Sequence, residues 1–296
     1  DAIRDSVASR GLGDVYKRQP DTTIESERIF TVRNIKDIKV GDTVIYSVSD
    51  GDLTFEKNVF FNAQSEEDWK PYSDYHDSKI GMNVGSFIIH TDSRTVLVDT
   101  GLGKLDHHLE QTARETLIGE IDAAGFQPQN IDTVFLTHMH MDHVGTNMTE
   151  TDHGWVPTFP NARYVVSKAD WTLFGSRVNT RPFAYLKEQI QPLIDADVLD
   201  LIEGEINITD EITTLPTPGH TPGHTSLLIS SAGEKAVIVG DAAHVPPQIE
   251  ETHWSPAPDR DKDKSSESRS MMMDLIEKEH ALVASCLLYT SDAADE

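Results

Sequence analysis

Between Ser86 and Thr100 the chain reads SFIIHTDSRTVLVDT, two apolar runs joined by a polar turn, the second closing on Asp99. Short runs of apolar and β-branched residues bounded by turn formers predict strands. The same pattern recurs at Val44–Val48, at Ile131–Leu136, at Tyr164-Val165-Val166 and twice or more between Leu215 and Gly240. Strand-like pieces dominate from Ile24 to Thr100. Helical spacing takes over at Asp106–Ala124, where Leu109, Ala113, Leu117, Ile121 and Ala124 share a face and Gly125 is placed to end the helix. A second helical stretch is expected around Phe183 to Ile194. A last one is expected over Ser266 to Ala284, with Met271-Met272-Met273 filling the core. The segment Asp259 to Ser268, DRDKDKSSES, reads as a charged, solvated connector. Strands mixed with helices place the chain in the α/β class.

Composition changes this picture at the ends. Residues 9–19, SRGLGDVYKRQ, resemble the translation of a transposase-type sequencing adapter, and residues 286–296, CLLYTSDAADE, resemble its partner read from the opposite strand. We expect residues 1–19 and 286–296 to be non-native and exclude them from the fold. Residues 20–285 are then expected to form one domain, cut short at its C-terminus. The formal charge of the whole chain is −25. The first segment sums to +1 and the last to −3, so residues 20–285 carry −23. A charge this negative repels phosphate backbones and argues against a nucleic-acid partner. The one cysteine is Cys286, which excludes disulfides and cysteine-ligated zinc from the native segment. No apolar run approaches the ~18 residues of a membrane span. Cytoplasmic and periplasmic placements both fit, and oligomeric state is left open.

The chemistry concentrates in Thr137-His138-Met139-His140-Met141-Asp142-His143-Val144-Gly145, directly behind the run Ile131–Leu136. Alternate residues of an extended chain point the same way, so His138 and His140 can reach one ion. Asp142 and His143, past the bend, can turn toward a second. Imidazole and carboxylate without thiolate suit zinc, iron or manganese. Asp99, at a strand end beside Gly101 and Gly103, is either a turn residue or a carboxylate that holds a metal-binding ring from behind. The Pro/Gly-rich turn Leu215–Thr225 carries His220 and His224, and we expect His224 to be bonded within its own turn. Lys235–Asp241 is a buried-type strand ending in a carboxylate, with His244 three residues on. His244 reads equally as a surface residue or a working one. His90, His107, His108, His153 and His253 lack ligand spacing.

In this order the motifs resemble the metallo-β-lactamase superfamily, from about Thr22 to Ser285. The resemblance implies an αββα sandwich: two sheets face to face, helices outside, metals at one edge. It implies that His138, His140 and His220 hold a first ion and that Asp142 and His143 bind a second. Asp241 would bridge the two, with Asp99 supporting a ligand ring from behind. Diiron flavoprotein relatives carry glutamate where His140 stands, so histidine favours the hydrolytic branch. The surroundings of Asp68-Trp69, Pro157–Tyr164 and His253–Pro256 look like the branch of acyl-homoserine-lactone lactonases and methyl-parathion-hydrolase-like enzymes.

The implied activity is a dinuclear zinc hydrolase using a metal-bridging hydroxide on a small ester, lactone or related electrophile. Asp142 and His244 are the expected catalytic side chains. Lactonase relatives place a tyrosine where His244 stands, and a histidine with pKa near 6.5 can also orient substrate or donate a proton. Three other readings stand beside it. A mononuclear iron oxygenase resembling persulfide dioxygenases would leave Asp142 and His143 unused. A β-lactam hydrolase usually departs from aspartate at the bridging position. A non-catalytic scaffold would not need the motifs intact. Relatives also complete the second metal site with a histidine on a strand after an Ala-Leu-Val-Ala type of segment, here Ala281–Ala284. That histidine would fall beyond Ser285, and His280 is a poor substitute. The chain as written is therefore expected to hold its second ion weakly and to turn over poorly.

Overall fold

A computed structural model describes residues 37–105, 110–112, 115–181 and 183–285. Residues 1–19 and 286–296, read above as non-native, lie outside the described residues, as do His107, His108, Leu109 and Ala113.

β1 (Asp37–Val40), β2 (Thr43–Glu56), β3 (Lys79–His90) and β4 (Thr95–Val98) pair antiparallel in that order. The short β5 (Glu110–Gln111) lies against β2. β6 (Thr133–Phe135), β9 (Arg163–Ser167) and β10 (Leu199–Ile202) extend the sheet in parallel beyond β4, while β7 (Met148–Thr151) and β8 (Gly154–Pro157) form a separate hairpin. The second sheet runs β11 (Ile212–Pro216), β12 (Thr225–Ser231), β13 (Glu234–Ile238) and β14 (Leu282–Ala284).

The two-residue period of the strands sorts side chains between layers. Phe87, Ile89, Val96, Val98, Phe135 and Val165 meet Ile212, Leu227, Ile229, Ala236, Ile238 and Ala284 between the sheets. Their neighbours Ile88, Leu97, Val134, Tyr164 and Val166 point the other way, onto Leu117, Ile121, Leu186, Ile190 and Leu193 of the outer helices. Behind the second sheet, Val237 and Val239 pack on Met272 and Ala281. This is the expected αββα order, and strands covered on both faces explain why their sequences read as unbroken apolar runs. Each fully buried aliphatic side chain contributes roughly 1.5–3 kcal/mol. That core, rather than the polar site at its edge, holds the sandwich together.

Four expectations need correction. Among the described residues of the helix expected over Asp106–Ala124, Leu117–Ala123 are helical, and Glu110–Gln111 pairs with β2 instead. A bulge in β2 between Ser49 and Asp52 presents Asp50, whose Oδ1 accepts the N–H groups of Thr116 (2.7 Å) and Leu117 (3.2 Å). A carboxylate supplied from another strand thus caps the helix and sets its start. The last helix spans Lys262–Glu279, not Ser266–Ala284. Asp261 caps its start, His280 stops it in a left-handed conformation (φ 52°), and Leu282–Ala284 becomes a strand parallel to β13 at the end of the second sheet. Of the three methionines only Met272 is buried, whereas Met271 is 45% exposed. Finally, Asp259–Ser268 is not a solvated connector. Asp259, Ser265 and Ser268 are buried, because this segment closes over the loop that carries His220. The stretch expected to be helical near Phe183–Ile194 forms two short helices, Tyr185–Gln189 and Gln191–Asp195, with Ile190 between them.

Candidate metal centre

The C-terminal ends of β4, β6 and β13 open on the same edge of the sandwich, as does the loop joining β11 to β12. Asp99 follows β4, Thr137 to His143 follow β6, His220 and His224 lie in the loop, and Asp241 to His244 follow β13. Four separate stretches therefore meet at one place.

His138, His140, His220 and Asp241 form one cluster whose ligand atoms lie within 4.8 Å of one another. His138 Nε2 and His220 Nε2 each stand 2.9 Å from His140 Nδ1. Asp241 Oδ2 is 3.2 Å from His220 Nε2 and 3.8 Å from His138 Nε2. A tetrahedral ion with bonds near 2.0–2.1 Å spaces its ligands about 3.3 Å apart, so one such ion fits among these atoms. Asp142, His143 and Asp241 form a second cluster. There His143 Nε2 lies 3.2 Å from Asp241 Oδ1 and 3.6 Å from Asp142 Oδ2. The two oxygens of Asp241 thus face different clusters.

Buried atoms left over in this pocket support a cation. His143 Nε2, Asp241 Oδ1 and both ring nitrogens of His244 are buried without a hydrogen-bond partner. Buried polar groups are nearly always paired, so four orphans at one spot point to a missing partner. Protonation behaviour agrees. Burial pushes the His143 imidazole down, but Asp241, Asp99 and Asp142 outweigh it and hold the ring well above its ordinary value. Three carboxylates converge on a single imidazolium, a place where bound cations would relieve the same excess of negative charge. His138 and His140 are held low by burial first and then by neighbouring imidazoles, His140 at about 3, and so stay neutral and able to ligate.

Support from behind the ligands is dense. Asp99 Oδ2 accepts from His143 Nδ1 at 2.8 Å and from the Thr137 hydroxyl at 2.8 Å, while its Oδ1 accepts the Thr137 N–H. Asp99 sits at φ 62°, unusual for a residue with a Cβ and found where function holds strain. His220 Nδ1 donates to Asp259 Oδ1 at 2.9 Å, and Asp259 Oδ2 meets the buried Arg269 at 3.5 Å. Arg269 in turn ties down the carbonyls of Ala242, Thr252 and Trp254. His220, His244 and Asp259 also lie close together, but the Asp259 contact is a hydrogen bond rather than a third ligand set.

His224 behaves as expected, bonding to Thr217 Oγ1 at 2.9 Å. It also supports the shared carboxylate, because its Nε2 accepts the Asp241 N–H at 2.9 Å. Gly240 at φ 55° permits that approach, since a Cβ there would stand 2.8 Å from His224 Nε2. His244 is not a surface residue. It is 2% exposed, with Nε2 3.4 Å from Asp241 Oδ2 and its ring edge-on to Phe60. Phe60 belongs to an aromatic wall with Phe61, Trp69 and Trp254.

Sequence reasoning missed Asp259 and Arg269, and it missed Asp170. The Asp170 carboxylate accepts Met139 N–H (3.0 Å) and Gly223 N–H (2.7 Å), clamping the His138–His140 turn to the His220 loop. Burial raises it to about 6. No helix among the described residues is long and apolar enough to cross a membrane.

Known proteins give the arrangement its place. The chain is 25% identical over 188 residues to an N-acyl homoserine lactonase of Bacillus cereus, covering 58% of this chain and 68% of that one. Over 220 residues it is 22% identical to the lactonase of Bacillus thuringiensis, covering 69% and 80%. A probable metallo-hydrolase of Bacillus subtilis is 29% identical over 182 residues, covering 55% and 64%. Among solved structures, a probable metal-dependent hydrolase from Staphylococcus aureus superposes with a TM-score of 0.75 at 22% identity, over 84% of this chain and 91% of that one. A dizinc quorum-quenching lactonase superposes with a TM-score of 0.71 at 23% identity, over 86% and 90%. At such identities the structures speak for the fold. Residues 81–282, more than half of the chain, match the sequence profile of the metallo-beta-lactamase superfamily, and the chain belongs to that superfamily.

Proposed function

We propose that the protein is a two-metal hydrolase of small esters, lactones or related electrophiles. The observation that carries this reading is the shared carboxylate: Asp241 directs Oδ2 at His220 and His138, and Oδ1 at His143. His138, His140 and His220 would hold one ion, Asp142 and His143 the other. When bound, two zinc ions would acidify a water to near pH 7 and polarise the substrate oxygen.

The chain's own residues supply the rest. With ions bound, His143 and His220 would be neutral, and Asp99 and Asp259, accepting from their Nδ1–H groups, would hold each ring in the tautomer that presents Nε2 to the centre. His244 Nε2, 3.4 Å from Asp241 and without another partner, is placed to protonate a departing alkoxide. Asp142, half-buried beside His143, is placed to take up a proton. Phe60 and the aromatic residues behind it keep the His244 side dry. That the homologues are named lactonases supports the choice of lactones as first substrates.

A mononuclear iron oxygenase is the alternative, and the convergence of Asp142 and His143 with Asp241 weighs against it. Elemental analysis of purified protein, with a panel of lactones, aryl esters, phosphotriesters and a chromogenic β-lactam, tests both. We expect zinc and chelator-sensitive hydrolysis. One iron per chain with no hydrolysis of any substrate would refute the proposal.

A further inference from the structure

Beside the first cluster lies a groove of about 220 Å³. Its floor is His140, His220 and Thr221, and its walls are Leu173, Phe174, Phe183, Ala257 and Pro258. Two arginines, Arg177 and Arg260, also line it. Arg177 stacks over the Phe183 ring, its Cζ 5.3 Å from the centroid, which restricts the guanidinium to the groove wall. Arg260 is exposed, but its backbone is tied to the groove, its N–H donating to the His220 carbonyl at 3.2 Å.

The charge is out of keeping with the rest of the molecule. The chain has 50 acidic residues against 25 lysines and arginines. Even so, neither guanidinium has a carboxylate within 4 Å among the described residues. The one acid lining the groove, Asp259, is turned inward to His220 and Arg269. Two unpaired forks flanking an apolar slot next to metal ligands match a carboxylate, which guanidinium binds through paired hydrogen bonds. At about 30 Å³ per water-sized group the groove takes roughly seven non-hydrogen atoms.

We propose that this groove is a carboxylate subsite: the substrate is an ester or lactone whose short aliphatic arm ends in a carboxylate held between Arg177 and Arg260. The idea rests on the hydrolase reading for its substrate, but the subsite itself can be tested without turnover. In one arm, the kcat/KM of a 4-nitrophenyl ester of a four- or five-carbon dicarboxylic acid is compared with that of the methyl-capped neutral analogue. The zinc-loaded wild type should prefer the anionic ester. The preference ratio should fall about 10-fold in Arg177→Gln and in Arg260→Gln, and further in the double variant. In the other arm, glutarate binding is measured by calorimetry on zinc-loaded protein, and the double variant should bind it at least about 10-fold more weakly. Loss of glutarate binding in the variants with no ester hydrolysed by any form would sustain the subsite and reject the hydrolase reading. Unchanged preference ratios and glutarate affinity would overturn the subsite. So would a preference for a phosphorylated ester over the carboxylated one.

Discussion

The two ligand clusters share Asp241 but are built differently. The first draws on three loops and gathers four candidate ligands, with His220 backed by the buried Asp259–Arg269 pair. The second gathers three candidate ligands among the described residues, two of them adjacent in sequence, and Asp142 is the more exposed. A shell with more ligands, each oriented by a buried partner, holds its ion more tightly. The difference teaches that metal number and catalytic competence need not be tied: the first position should fill before the second.

Breaking the shared element should have the largest effect. Asp241→Ala is expected to empty both positions and abolish turnover, while the circular dichroism spectrum stays that of the folded chain, since the sheets are held by apolar packing. Collapse of the fold would show the metals to be structural. By comparison, His140→Ala should release the first ion and Asp142→Ala only the second, as read by metal content per chain. Equal losses in these two variants would remove the asymmetry.

His244→Phe tests chemistry apart from binding. It should lower kcat by about 10²–10³-fold with metal content unchanged. Intact kinetics over several substrates would leave this buried histidine without a chemical role.

A smaller change should sharpen the contrast. Asp259→Asn is expected to weaken the first ion by about 10–100-fold, and Asp99→Asn to do the same only for the second. Competition with a graded series of chelators reads both. If Asp259→Asn loosens the second ion instead, the assignment of supports to clusters is wrong.

The smallest effect concerns the clamp that joins the loops. Burial raises Asp170 to about 6, so the folded chain favours its protonated form. That stabilisation is complete below the ordinary carboxylate pKa and is lost as pH rises through about 6. Metal-free wild type should therefore lose stability relative to Asp170→Asn between pH 4 and 7, by about 2–3 kcal/mol at most. Parallel pH profiles of thermal unfolding would show that the carboxylate does not titrate there.

Much of the site was legible because its chemistry is local. His138, His140, Asp142 and His143 fall within six positions behind an apolar run, and alternation along the strand already pairs His138 with His140. The turn and the strand end that carry His220 and Asp241 could be read as candidates, but only the family resemblance singled these two out. Asp259 could not be read from its surroundings. It lies in DRDKDKSSES, where one buried acid looks the same as its exposed neighbours, and only the closing of that segment over His220 distinguishes it. Asp170 and Asp50 act on backbone N–H groups of distant loops, contacts that leave no mark in local spacing. His244 read equally well as exposed or buried.

By itself the sequence determined most of the strands and the types of the candidate ligands. Strand and helix periods set which side chains face the core, and the six-residue motif gathered four candidate ligands at one strand end. The tertiary structure decided what lies between elements far apart in the chain. It capped the helix at Leu117 with Asp50, ended the last helix at His280 so that the next residues add a strand beside β13, and brought Asp259 and Arg269 beneath His220. Periodicity reports on the local backbone, whereas burial, desolvation and the pairing of charges depend on which distant groups arrive at the same place.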